Sequence, residues 1–230
     1  MSTEATTATE PGADESVPDL ACVPVDFNQI GDDLADIPQP NAGAIKLRAE
    51  KYFARAYASA KALEAIVPWE FVPGESYHVM TGGRVDSMSF LRMVVRQTAL
   101  KYCLISTWRI AAGDIDELEH LVEAGRIKRI DFYVGEQLKA KFLPVWQKLA
   151  DFCVKHGGRA AIFRNHSKVT ACIGEKFDCV IATSANMNAN FRTEQHIITI
   201  NSELARFYKD WYDKIVSFDH TFDTWEAYQL

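Results

Sequence analysis

The chain lacks any apolar run close to the length of about 20 residues that crosses a bilayer, and its five cysteines include no C-x-x-C pair. An odd number of cysteines without paired spacing predicts reduced, mostly buried thiols in a cytoplasmic protein. The N-terminal MSTE lacks the basic and apolar regions of a signal peptide, so we expect no secretory leader and no membrane partner. No group of His, Cys and Asp residues has metal-ligand spacing, so neither a metal nor a cofactor is predicted.

Lysine and arginine are absent from residues 1–40, which hold nine of the 31 acidic side chains. The other residues carry 22 acidic and all 25 basic side chains, so the formal net charge of −6 combines an acidic segment with a slightly basic body. Residues 1–42 are rich in Thr, Ala, Pro, Asp and Glu without a sustained hydrophobic period, which predicts a disordered tail. Such a tail could bind a protein partner, or could mimic nucleic acid and cover a basic groove.

The remaining sequence divides into a helical extension and an α/β domain. Residues 43–72 contain a stretch dense in Ala, Leu, Lys and Glu, with apolar residues at helical spacing. Residues 73–230 alternate short apolar runs with helical stretches of 12–20 residues, which indicates parallel crossovers. Three closely linked strands late in the domain indicate antiparallel neighbours on one side. We therefore predict a mixed β-sheet flanked by helices on both faces.

One stretch, RNHSKVTACIGEKFDCVIATSANMNANFRTEQHIIT, holds a group of polar side chains at regular spacing. His166 and Lys168 share a face if their segment is extended, and so do Ser184 and Asn186 at the end of the next strand. Pairing of these strands through the GEKFD turn would bring all four to one end of the sheet. Glu194 opens the following strand and could reach the same end. The alternative is that these are ordinary residues of a half-buried sheet.

Together these groups suit phosphodiester chemistry. A neutral imidazole can attack phosphorus and form a covalent phospho-histidine. A neighbouring lysine neutralises the non-bridging oxygens, while serine and asparagine supply further hydrogen-bond donors. A carboxylate bonded to the far ring nitrogen fixes the tautomer of the histidine and supports the developing charge. None of these steps requires a metal.

The pattern HSK…TSAN…E, followed by a helix, resembles the phospholipase D superfamily, whose signature is H-x-K-x4-D with a later G-S-x-N. The order of elements from about residue 77 to 216 is also similar to one such domain. Within residues 164–199 the likeness is strongest to the small single-motif bacterial endonucleases of that superfamily. Those proteins carry a Glu in the strand after S-x-N and end in an aromatic-rich helix, as in ARFYKDWYDKI here. The resemblance implies a phospholipase-D-like fold.

The resemblance also implies roles for individual residues. His166 would be the nucleophile, and Lys168 would bind the phosphate during catalysis. Ser184 and Asn186 would bind the phosphate as well. Glu194 would orient the histidine of its own subunit or of the partner subunit.

Two motif positions depart from the signature. Ile173 stands where the motif has Asp, and Thr183 stands where it has Gly. The gap from His166 to Ser184 is also three residues longer than in the endonucleases. Tyrosyl-DNA phosphodiesterases belong to the same superfamily, lack the Asp, and use H-x-K with a segment similar to TSAN. The resemblance therefore implies that activity can survive without this carboxylate.

A phospholipase-D-type reaction uses two histidines, one as nucleophile and one as general acid for the leaving group. This chain has a single H-x-K, at His166. The remaining histidines stand in other contexts: His78, His120, His156, His196 and His220. We therefore predict a homodimer with one active site shared across its twofold axis.

The resulting hypothesis is a metal-independent phosphodiesterase, first of all a DNA endonuclease, with DNA favoured over RNA. A nuclease is preferred to a lipase because of the family likeness and because no apolar surface helix could anchor the chain to lipid. Two alternatives stay open: a catalytically weakened phospholipase-D-like protein that binds nucleic acid, and a phospholipid hydrolase. The presence of Ile173 in place of Asp favours the binding protein.

Further residues could border the site. Arg84 lies in a TGGR loop whose backbone N–H groups could hold phosphate, although an ordinary loop is the alternative. Trp108 and Arg109 end a strand, and they either line a groove for bases and backbone or simply pack. His196 lies two residues from Glu194 on the same strand face, so it could support the site.

Overall fold

The computed structural model describes residues 58–82, 85–187 and 192–230. The predicted acidic tail 1–42, the first half of the helical extension and Arg84 lie outside these ranges. The domain boundaries proposed from the sequence therefore stay predictions.

Among the described residues, strands and helices alternate as far as the fourth strand, and the last three strands then follow without helices between them, as the sequence predicts. The strands are β1 (Ser76–Thr81), β2 (Leu100–Thr107), β3 (Ile130–Gly135), β4 (Ala160–Phe163), β5 (Val169–Gly174), β6 (Cys179–Thr183) and β7 (Glu194–Thr199). A helical stretch, α1, covers residues 58–64. The other helices are α2 (Ser87–Gln97), α3 (Ala112–Glu123), α4 (Gln137–Lys141), α5 (Leu143–His156) and α6 (Ser202–Asp213).

The seven strands form one mixed sheet in the order β1-β7-β6-β5-β2-β3-β4. Strands β2, β3 and β4 run parallel, and α3, α4 and α5 form the crossovers between them. The other neighbouring pairs are antiparallel. The predicted mixed sheet, with its antiparallel side built from the late strands, is therefore confirmed.

Helices cover both faces of the sheet, which also confirms the prediction. One face packs against α2, α3 and α5 in the larger core, through residues such as Phe90, Leu118 and Leu149. The other face packs against α6 in a smaller core, through Ala205 and Tyr212. Because both faces are buried, the central strands read as nearly continuous apolar runs in the sequence.

The segment between β3 and β4 forms two helices, α4 and α5, divided at Phe142, whose backbone (φ −132°, ψ 47°) is not helical. Pro144 occupies the first turn of α5, where its missing N–H needs no partner. Gly157, with φ of 77°, ends α5 in the left-handed conformation that favours glycine. The break at Phe142 brings its ring to within 4.2 Å of the Arg109 guanidinium, beyond the end of β2.

The residues after α6 pack on the smaller core and on the outer strand β4. The Phe218 N–H donates to the Ile162 carbonyl at 2.7 Å. Trp225 lies over the guanidinium of Arg159, with the ring centroid 3.7 Å from its Cζ. These contacts cover part of an edge that could otherwise pair with another strand.

No helix among the described residues combines the length and apolarity needed to span a bilayer. The four cysteines that the described ranges include are buried thiols: Cys103, Cys153, Cys172 and Cys179.

Candidate functional site

His166 and Lys168 lie in a loop directly before β5, not in the strand that the sequence suggests. Their side chains nevertheless lie together. Lys168 Nζ is 3.3 Å from His166 Nδ1, and it donates to the His166 carbonyl at 2.6 Å. The imidazole is exposed, whereas the lysine is half-buried. The H-x-K segment therefore presents an accessible ring beside a cation.

Asn165 anchors this loop to the sheet. Its side chain is 5% exposed, and its Nδ2 donates to Ser106 Oγ at 2.9 Å and to the Tyr133 carbonyl at 2.8 Å. Its Oδ1 accepts from the N–H and the hydroxyl of Ser167, at 2.9 and 2.7 Å. One buried amide thus ties the H-x-K loop to the ends of β2 and β3.

Helix α6 supports the same loop from the smaller core. The Tyr212 hydroxyl is hydrogen bonded to Ser167 Oγ, which is also 2.7 Å from Ser106 Oγ. The hydroxyl of Ser167, the middle residue of H-x-K, is therefore bonded within the protein, although the residue as a whole is exposed, as His166 is.

Ser184 and Glu194 form the second part of the site. The Thr183 N–H donates to the Lys168 carbonyl at 3.0 Å, so Ser184 directly follows the residue paired with Lys168. The Ser184 hydroxyl donates to the Glu194 carboxylate, and its oxygen accepts the Gln195 N–H at 3.0 Å. These bonds hold Ser184 against the start of β7.

The carboxylate of Glu194 meets Ser184 because of the strand order. Strand β6 lies between β7, which carries Glu194, and β5, which follows His166. Glu194 therefore lies between Thr81 of β1, its register partner, and Ser184 after β6, and its carboxylate accepts from Ser184. Orientation of His166 by Glu194, of the same or of a partner subunit, stays a prediction.

Asn186 and Ser184 lie in different surroundings. Strand β6 ends at Thr183, so the expected alternation does not continue through residues 184–187. Ser184 is exposed, whereas Asn186 is half-buried, and its Oδ1 has no hydrogen-bond partner among the described residues. Its backbone carbonyl accepts from Ser87 Oγ at 3.1 Å. A phosphate would have to be bound by the amide nitrogen, the donor of this side chain.

Electrostatics around Lys168 combine two opposing effects. Partial burial lowers the pKa of Lys168, and the negative charge of Glu194 partly offsets this effect. An ammonium group only donates hydrogen bonds, so its contact with His166 uses the lone pair on Nδ1. In the neutral ring, Nε2 then carries the proton. As arranged here, His166 offers an N–H donor to an approaching anion.

His196 supports the loop from within the core and does not face the solvent. Its Nε2 lies 3.1 Å from Thr81 Oγ1, its Nδ1 lies 2.8 Å from Thr183 Oγ1, and its ring stacks on Phe90 at 4.2 Å. Burial lowers the pKa of His196 to about 4, so the ring is neutral at pH 7. Thr183 also accepts the Ala185 N–H at 3.0 Å, which fixes the start of the loop that carries Ser184.

Ile173 occupies the position of the motif Asp. It is 7% exposed and belongs to the smaller core, opposite Tyr102 on β2. An unpaired carboxylate at this position would be costly to bury. The apolar residue therefore fits the packing of this particular core.

Trp108 lies beside His166, and Arg109 lies beside Trp108. The indole and imidazole centroids are 5.9 Å apart, with the ring planes inclined at 45°. The Arg109 guanidinium lies 6.0 Å from the centre of the Trp108 ring and 4.2 Å from that of Phe142. Of the further candidates, Arg84 lies outside the described residues.

A separate surface cluster brings donor atoms of Glu119, Glu123 and His156 within 4.8 Å of one another, close enough to hold a metal ion. Spacing in the sequence does not reveal this cluster, because Glu119 and Glu123 lie on α3 whereas His156 lies on α5. Lys155 Nζ pairs with both carboxylates, at 2.7 and 2.9 Å. An ion there would have to displace the ammonium group.

Three residues of the candidate site escaped the sequence argument: Asn165, Ser167 and Tyr212. Motif reasoning treats the middle position of H-x-K as free and ignores the residue before it. The polar run RNHSK between two apolar strands was the available signal. The partners of this run, more than 40 residues away in sequence, become evident only in the fold.

No family model and no curated protein matches the chain. Among solved structures, the archaeal chromatin protein TrmBL2 matches at 14% identity and a TM-score of 0.43, over 80% of this chain and 66% of that one. Polyphosphate kinase from Porphyromonas gingivalis matches at 15% identity and a TM-score of 0.48, over 78% of this chain and 31% of that one. NucT from Helicobacter pylori matches at 17% identity and a TM-score of 0.42, over 63% of this chain and 100% of that one. These likenesses are distant, so the function proposed below rests on the residues of the site.

Proposed function

We propose that this chain is a metal-independent phosphodiesterase of the phospholipase D type, and that its substrate is nucleic acid, with DNA favoured. The observation that carries the proposal is the exposed His166 ring, 3.3 Å from Lys168 Nζ, with Ser184 held beside them by the Thr183–Lys168 backbone bond. A nucleophile beside a cation is the pair of groups that phosphodiester cleavage uses, and Ser184 would donate to the phosphate once its hydroxyl turns away from Glu194.

The first step begins with the binding of a phosphodiester at Lys168. The non-bridging oxygens attract the ammonium group away from His166 Nδ1, so the ring proton can reside there. Nε2 then attacks phosphorus, an N–P bond forms, and the bond to the leaving oxygen breaks. The leaving oxygen takes a proton from a second imidazole. Water later attacks the phospho-histidine, gives its proton to that second imidazole, and frees His166.

The second imidazole is His166 of another copy of this chain. The sequence contains one H-x-K, and the reaction needs both a nucleophile and a general acid. A homodimer with a shared site supplies both groups from identical loops. The monomer should therefore be inactive.

Cleavage of single- and double-stranded DNA in excess EDTA tests the proposal. The wild type should cut DNA, and His166→Ala should lose activity by on the order of 10⁴-fold or more, as other enzymes do without their nucleophile. His220→Ala is the matched control, since this exposed histidine belongs to the C-terminal segment and pairs with Asp223. Equal cleavage by the wild type and His166→Ala would contradict the proposed mechanism.

A nucleic-acid-binding protein without catalysis is the second candidate. The buried Ile173 in place of the motif Asp and the contact of Lys168 with His166 Nδ1 favour it. DNA binding by both the wild type and His166→Ala, without cleavage by either, would support this function. A third possibility, phospholipid hydrolysis, would be supported by His166-dependent activity on detergent-dispersed lipid.

A further inference from the structure

Trp108 occupies a fixed position beside the proposed nucleophile. Its half-buried indole lies at the end of β2, 5.9 Å from the His166 ring. Gly135, the last residue of β3, makes room for it, since a Cβ at that position would lie 2.4 Å from Trp108 Cδ1. The same Cβ would lie 3.1 Å from the Asn165 carbonyl. The end of β3 is therefore shaped to accept the indole and the H-x-K loop together.

Cationic groups accompany this aromatic ring. Arg109 is stacked over Phe142 at 4.2 Å and lies 6.0 Å from the centre of the Trp108 ring. Arg164 is exposed two residues before His166, and Lys168 follows on the other side. Interleaved aromatic and basic side chains are typical of surfaces that bind single-stranded nucleic acid, where bases stack and phosphates meet cations.

The distance between the indole and His166 restricts what the indole can contact in a substrate. A phosphate bound at His166 would bring the sugar and base of an adjoining nucleotide next to Trp108. In a duplex the faces of that base are stacked between its neighbours, so an aromatic side chain reaches them only if the base is unpaired. An aromatic ring that stacks on such a base would therefore favour single strands over double strands.

We propose that Trp108 stacks on an unpaired base next to the scissile phosphate, and that this contact makes single-stranded nucleic acid the substrate class of the site. The inference rests on the proposed function. It differs from a packing role, in which the indole would only hold the His166 ring in place.

The test compares two single-stranded oligonucleotides, one intact and one with an abasic nucleotide beside the cleaved phosphate. The wild type should show a kcat/KM roughly 5- to 150-fold higher for the intact strand, the range expected for stacking of one base on an aromatic ring. In Trp108→Ala this ratio should fall close to one, and Trp108→Phe should restore part of it. Trp69→Ala, which removes an exposed indole outside the candidate site, should keep the wild-type ratio.

A wild-type ratio that persists in Trp108→Ala would overturn the inference, even if both rates fall, because the indole would then act only through His166. If the wild type cleaves neither oligonucleotide, the proposed catalysis fails. The dissociation constants of the two oligonucleotides, measured by fluorescence anisotropy, then replace kcat/KM in the comparison. Loss of the base dependence in Trp108→Ala would still support stacking. Absence of binding to either oligonucleotide would overturn both proposals.

Discussion

The burial of His196 should make the stability of this protein depend on pH. The side chain is 0% exposed and lies between the hydroxyls of Thr81 and Thr183. Burial lowers the pKa of His196 to about 4, compared with 6.5 for the ordinary imidazole. The folded protein therefore resists a protonation that the unfolded chain accepts readily.

The sign and the magnitude follow from this difference in pKa. Stability falls with decreasing pH wherever the unfolded chain binds more protons than the folded one. For His196 this window extends from about pH 6.5 down to about pH 4. At pH 4.5 this group alone should make the free energy of unfolding about 2.5 kcal/mol lower than at pH 7.5, since each pKa unit corresponds to about 1.36 kcal/mol. Below pH 4 both states bind the proton, and the effect levels off.

A second buried group titrates in the opposite sense. Burial, with the negative charges of Asp86 and Glu117, raises the pKa of Asp114 to about 7. Protonation of Asp114 therefore stabilises the folded state as the pH falls. The contribution of His196 must consequently be measured against a variant in which only His196 fails to titrate. His196→Gln serves this purpose, because its amide can still bond a threonine hydroxyl.

Urea denaturation of the wild type and His196→Gln at pH 7.5 and pH 4.5 provides the measurement. The free energy of unfolding should decrease between these pH values by about 2.5 kcal/mol more in the wild type than in the variant. The contribution of Asp114 is common to both proteins and cancels in this comparison. An equal pH dependence in the two proteins would refute the reasoning.

Two further predictions concern Ile173 and the acidic segment 1–42. Ile173→Asp, which restores the motif carboxylate, should destabilise the protein by about 3 kcal/mol or more without raising cleavage, because the side chain would be buried against Tyr102. Ile173→Val, the control, should lower the free energy of unfolding by only about 1 kcal/mol. Urea denaturation measures the stability of both variants, and a DNA cleavage assay measures their activity. Higher activity in Ile173→Asp than in the wild type would contradict the packing argument. Deletion of residues 1–42, with their excess of acidic side chains, should tighten DNA binding at low salt more than at high salt. Unchanged binding in a salt titration would rule out shielding of a basic groove by the tail.

The fold was largely predictable because its elements leave local patterns. Helical spacing and apolar runs depend on residues within a few positions of one another, so the alternation of strands and helices could be read directly. Helix α5 illustrates the limit, since a proline such as Pro144 marks a helix start or a disturbance but does not place the break at Phe142. The sequence argument treats His166 and Lys168 as part of a strand, whereas β5 begins at Val169 and Asn165 bonds Ser106 and Ser167 in the loop before it.

The candidate site was predictable only in part. The motif residues His166 and Lys168 could be paired from their spacing, and their side chains do meet. The bond between Ser184 and Glu194 could not be derived, because it depends on β6 lying between β5 and β7. The alternation of side chains along a strand does not place Asn186 beside Ser184, because β6 ends before both residues and the amide oxygen of Asn186 is buried.

The sequence by itself determined the α/β class, the mixed sheet and the place in the chain where phosphate chemistry could occur, because these depend on spacing within short segments. Only the tertiary structure decided which groups support that chemistry. Asn165 meets Ser106 across 59 residues of sequence, and the end of β3 leaves space for Trp108 beside His166. Such contacts depend on the order of strands in the sheet and on the packing of its two faces, and both are properties of the whole chain.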